Sequence, residues 1–156
     1  MKDLARIEAV YAKLDLSLER ERSAATNAEA ARTEAEQVLS DQAYFLLCWG
    51  QLETEIDGAC RRAITARAAR SGWQVRRSWY LYNPRGKRLS GLSFEDRAAL
   101  VLDRDDRSRG SAWSKTMFHD TARNEIAHGK LHSTRIDVGV FVQDCFVIQA
   151  ALHRSV

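Results

Sequence analysis

The sequence predicts an all-α protein, and three observations carry the prediction. One proline, Pro84, and eight glycines in 156 residues leave long stretches without a helix breaker. Leu4, Ile7, Tyr11, Leu14 and Leu18 recur at alternating three- and four-residue steps, the narrow seam of a coiled coil or helix–helix contact. Phe45, Cys48, Trp49, Leu52, Ile56, Ala59, Cys60 and Ala63 form the wider apolar stripe of a helix facing a core.

Taken in order, residues 2–38 read as one long N-terminal helix. Its seam fades from Ser23 to Glu36 into an Ala/Glu-rich, strongly helix-forming stretch. Two readings stand for it: a projecting arm, residues 1–39, that pairs with another helix, or a helix packed back on its own domain. Ser40-Asp41 is the expected break, because Ser can cap the next helix, and residues 40–156 form the main helical domain. The second helix extends to about Arg70, with Phe45 and Trp49 in the core and Glu53 and Glu55 on a solvated face or beside a site.

From Gly58 to Phe94 there is no acidic residue, and nine are basic, among them Arg76, Arg77 and Arg85. Trp73, Trp79, Tyr80 and Tyr82 surround the turn signal Asn83-Pro84-Arg85-Gly86. Basic residues interleaved with aromatics supply the charge and stacking that bind single-stranded nucleic acid. A connecting loop anchored by its aromatics accounts for the same residues.

Ser93-Phe94-Glu95-Asp96 resembles a capping box opening a short helix through Leu102. Asp103 to Gly110 reads as a solvated loop, since its acids are mixed with arginines and lack calcium-loop spacing. Gly110-Ser111 opens a further helix whose core face is Trp113, Met117, Ala122 and Ile126, with His119, Asp120, Arg123, Asn124 and His128 turned elsewhere. Gly129 ends it. Thr134, with Asp137 three residues on, starts a last helix to about His153. That helix is apolar nearly all round, which places it centrally or at a subunit interface.

Composition bounds the function. Hydrophobic residues make up 45% and charged residues 29%, which suits one globular domain with a proper core. Three cysteines with no C-x-x-C, two of them on the apolar stripe, read as buried free thiols in a reducing cytosol. No basic-then-apolar leader and no 18-residue apolar run are present, so a cytoplasmic protein with no membrane contact is expected. The net charge of +3 is uneven: residues 1–60 carry six Lys/Arg against twelve Asp/Glu, and residues 61–156 carry eighteen against nine. The second part is therefore suited to an anionic partner.

There is no P-loop, Gly-rich dinucleotide turn, H-E-x-x-H or G-x-S-x-G. The four histidines lack cysteines at zinc spacing, so neither a metal nor a cofactor is expected. What remains is Arg123-Asn124-Glu125-Ile126-Ala127-His128-Gly129. Asn124 and His128, four apart, share a helix face, whereas Arg123 and His128 lie about 140° apart around the axis, so a bent arginine would be needed to join them. An imidazole that titrates near neutral pH beside a permanent guanidinium suits phosphodiester chemistry, one moving a proton and the other holding phosphate charge.

This run resembles the signature of the HEPN superfamily (higher eukaryotes and prokaryotes nucleotide-binding), an Arg, a polar residue and a later His on a late helix of a small all-α domain. The resemblance covers about the last two-thirds of the chain. It implies a HEPN-like helical bundle and a metal-independent endoribonuclease, commonly a toxin or defence effector, dimeric with its motifs at the interface. On that reading Arg123, Asn124 and His128 are catalytic. Lys130, Arg76, Arg77 and Arg85 contact RNA, and an antitoxin or other regulatory partner is expected. Some toxins of the family carry His-x-Tyr, with a tyrosine modified by a partner; here that position is Lys130, which puts such control in doubt. A catalytically silent module binding protein or nucleic acid is the rival reading.

Overall fold

The structure, a computed structural model, describes residues 1–68, 72 and 89–154. Among them are five α-helices and no strand: α1 (Leu4–Ala24), α2 (Asn27–Ala68), α3 (Phe94–Ala99), α4 (Ala112–Ala127) and α5 (Val138–Arg154), with a short 3-10 turn at Leu89–Gly91. The all-α prediction holds. The chain divides into two compact units, Met1–Leu52 with Phe118–Cys145, and Glu53–Met117 with Phe146–Val156.

The first helix break lies elsewhere than expected. The helix predicted over residues 2–38 ends at Ala24, and Ser40-Asp41 is interior to α2. Ala25 leaves α1 in an extended conformation, φ −88° and ψ 161°. Thr26 then opens α2: its N–H and hydroxyl both donate to the Glu29 carboxylate, at 3.0 and 2.7 Å. Glu29 thus satisfies an orphan donor as the glutamate of a capping box does. Asp41 does not cap a helix. It is fully buried and serves as a tether between elements.

Within the first unit α1 runs against α2. Tyr11 donates to Asp41 over 2.7 Å and meets the Tyr44 ring at 5.3 Å, while Gln37 donates to Asp15 at 3.1 Å. Residues increasing in number along α1 thus meet residues decreasing along α2, so the pair is antiparallel. The segment before α5 is fastened to α2 as well. The Gln42 side chain donates to the His132 carbonyl and accepts the His132 N–H, at 3.2 and 3.1 Å. Arg135 binds both oxygens of Asp41 and one of Asp15, and Ile136 N–H donates to Asp41 over 3.1 Å. A carboxylate removed from water demands such partners. Burial and the hydrogen bond to Asp41 push the Tyr11 phenol far above its ordinary range.

The aromatic core of this unit joins α2, α4 and α5. Phe45 packs on Phe141 at 4.6 Å between centroids, and Trp49 stacks nearly parallel to Phe141 at 6.3 Å. Cys48 and Cys145 are buried free thiols, as is Cys60 in the second unit. α5 is not buried all round: Val138, Phe141, Val142, Cys145, Ile148 and Leu152 are enclosed, while Val140, Phe146 and Val147 are exposed. Asp137, not Thr134, caps it, accepting the Val140 N–H over 2.8 Å.

In the second unit Ser93 caps α3 as predicted, accepting the Asp96 N–H at 3.1 Å, and the helix proper ends at Ala99. Arg97, largely buried, pairs with Glu53 at 2.6 Å and with Asp57, fixing α3 to α2. Glu53 is thereby engaged in structure. Ser111 opens α4, accepting the Ser114 N–H at 3.1 Å.

Candidate functional site

The predicted motif sits on the last two turns of α4, in the first unit. The helix closes in a Schellman arrangement: Lys130 N–H reaches the Glu125 carbonyl at 2.9 Å, and Gly129 N–H reaches Ile126 at 3.0 Å. Gly129 adopts φ +79°, which glycine takes without steric cost. His128 is the capping residue just before that reversal. Its N–H donates to the Asn124 carbonyl at 3.1 Å, and its side chain stands in solvent.

Arg123 and Asn124 are joined. The Arg123 guanidinium donates to the Asn124 Oδ1 at 2.7 Å, and Asn124 Nδ2 donates in turn to Asp120 at 3.1 Å, one helical turn earlier. The Arg123 Cζ also lies 6.0 Å from the centre of the Trp49 ring, at the edge of cation–π range. No side-chain hydrogen bond joins Arg123 to His128. The angle between them explains this: the core side of α4 holds Arg123, and the solvent side holds His128.

The remaining predicted contacts divide. Lys130 is exposed, its Nζ 3.7 Å from Glu125, which also approaches the His132 ring at 3.5 Å. Arg76, Arg77 and Arg85 lie outside the described residues. Among the described residues no group of three or more His, Cys, Asp or Glu is placed to hold a metal ion.

One histidine expected to look away from the core does the opposite. His119 is buried, its Nε2 2.8 Å from Asp144 Oδ2 and its ring 4.6 Å from Phe141. The inner line of α4 runs through Trp113, Thr116, His119 and Ile126, all buried. An apolar template passes over Thr116 and His119. Both are tolerated inside because each has a partner, the Ala112 carbonyl for Thr116 and Asp144 for His119. Arg123 follows His119 by one turn on this inner line, which is why it reaches Trp49.

No family model, curated protein or solved structure matches the chain. The family resemblance therefore rests on the motif residues alone.

Proposed function

We propose that the chain is a metal-independent endoribonuclease of the HEPN type, a toxin or defence effector acting as a cytoplasmic homodimer. Internal attack on RNA needs a base at the 2′-hydroxyl, an acid at the 5′ oxygen and positive charge on the phosphate. His128 takes the 2′-hydroxyl proton as that oxygen attacks phosphorus. The P–O5′ bond breaks, and His128 of a second copy protonates the leaving oxygen. Arg123 holds the non-bridging phosphate oxygens, Asn124 orients Arg123, and exposed Lys130 touches the RNA backbone. The products are a 2′,3′-cyclic phosphate and a 5′-hydroxyl. Two copies related by a two-fold axis supply the two imidazoles that one motif lacks.

The observation that carries this reading is the placement of His128. Its imidazole is open to solvent at a glycine-closed helix end, one turn beyond the asparagine that holds Arg123. The test is incubation of end-labelled RNA with the pure protein, with and without EDTA, beside His128→Ala and Arg123→Ala. Cleavage that persists in EDTA and vanishes in both variants is expected. Cleavage lost to EDTA, or retained in both variants, sinks the reading.

A second reading is a silent binding module for a partner protein or nucleic acid. It is favoured by the engagement of Arg123 with Asn124 and Trp49 rather than with His128. RNA retained by the wild-type protein with no cleavage at any pH would select it.

A further inference from the structure

Beside α1 lies an open groove of about 740 Å³, lined on one side by α1 residues from Tyr11 to Glu19 and on the other by residues from Arg135 to Gly139. Its α1 wall is one helical face: Tyr11, Asp15 and Glu19 follow at four-residue steps, and so do Ala12 and Leu16. That face spans about 12 Å, or two helical turns. Leu16 is 51% exposed in it.

The charge of the groove is negative, and its cations are already engaged. Asp15, Glu19 and Asp137 line it, and Asp41 lies buried behind it. Arg135 is bound by Asp41 and Asp15, and Arg22, beyond the lining, pairs with Glu19 at 2.7 Å. Three carboxylates, Asp15, Glu19 and Asp137, thus line the groove against one guanidinium, Arg135, which Asp41 and Asp15 already hold. A nucleic-acid backbone would be repelled here. Leu16, Ala12 and Ile136 offer apolar contact between the acids.

We propose that this groove docks a short basic amphipathic helix of a partner protein. The apolar side of that helix lies on Leu16, Ala12 and Ile136, and its lysines or arginines meet Asp15, Glu19 and Asp137. Two turns of α1 match two turns of the incoming helix, in the helix-in-groove mode. The excess of carboxylates speeds encounter and rejects acidic partners. This inference does not depend on the ribonuclease reading, because it uses none of the motif residues.

The probe is a Leu/Lys peptide of helical amphipathic pattern, with a Leu/Glu peptide of the same pattern as control. Binding is followed by backbone amide NMR of the full chain. The expected result is saturable Leu/Lys binding at low salt, with the shifts concentrated at residues 11–19 and 135–139 and no response to Leu/Glu. The exposed-site double variant Ala12→Arg/Leu16→Lys, checked for unchanged helicity, should weaken binding about tenfold or more, equivalent to about 1.4 kcal/mol. Equal binding of both peptides, shifts mapping elsewhere, a double variant that binds as the wild type does, or occupation of the groove by a second copy of the chain in sedimentation and cross-titration would each overturn the proposal.

Discussion

The Arg123 guanidinium donates to the Asn124 side-chain oxygen over 2.7 Å. Neighbours in sequence seldom face one another on a helix, so the arginine must fold across to reach that oxygen. The bond fixes one edge of its fork, and its Cζ lies over the Trp49 ring, 6.0 Å from the centre. On the proposed ribonuclease reading, a guanidinium oriented in advance would lower the ordering cost of binding a phosphate.

Arg123→Lys tests that orientation. Lysine keeps the charge but loses the planar fork. In the RNA-cleavage assay we expect a loss of about ten- to a hundredfold for Arg123→Lys, the equivalent of one charge-assisted hydrogen bond at about 1.5–3 kcal/mol, and a smaller loss for Asn124→Ala, which keeps the guanidinium itself. Unfolding midpoints should move little in either variant. Wild-type rates in Arg123→Lys would remove the fork from the mechanism.

Gly129 at φ +79° should resist a side chain for conformational reasons alone, because nothing lies within 4 Å of a Cβ added there. Gly129→Ala should cost about 1–2 kcal/mol, the penalty of a left-handed residue with a Cβ. Denaturant titration measures it. Cleavage should fall further than stability, because His128 is the adjacent residue.

The Asp41–Arg135 pair should behave as a half-buried ion pair. Asp41 is fully buried, while the Arg135 side chain is 37% exposed. Arg135→Met leaves that carboxylate without its cation and should destabilise by about 3 kcal/mol, the low end for breaking a buried pair. The double variant Arg135→Met/Asp41→Asn should recover much of this. A double variant as unstable as the single would show that packing, not the stranded charge, sets the cost.

The buried thiols give a pH signature. Burial pushes the Cys48 and Cys60 thiols up to about 11, and Cys145 is raised too. Ionisation therefore favours the unfolded chain, whose thiols titrate near 9. The stability these thiols contribute is complete below that value and is lost as pH rises toward 11. Chemical denaturation between pH 8 and 11 should show a falling midpoint, and alanine at Cys48 and Cys60 should flatten that slope. Thiol reagents at neutral pH should react slowly with the folded chain.

Much of the fold was legible from local signals. The apolar stripe from Phe45 to Ala63, the Ser93 cap and the Gly129 stop all act within a few residues, and each stands where the sequence places it. Thr26 with Glu29 was an equally local signal for the start of α2, hidden inside an alanine-rich run that favours helix throughout. The motif was legible too, as residue types at fixed spacing, together with the angle that separates Arg123 from His128.

What only the tertiary structure decided concerns polar groups whose partners lie far along the chain. Ser40-Asp41 reads as a break between helices until Tyr11 and Arg135 are brought to Asp41 from 30 and 94 residues away. His119 reads as a surface residue until Asp144, 25 residues on, supplies its partner within the core. Helix periodicity and caps are set by neighbours in sequence, so the chain by itself fixes them. Burial of a charge or an imidazole depends on desolvation offset by a partner, and only the folded chain brings that partner near.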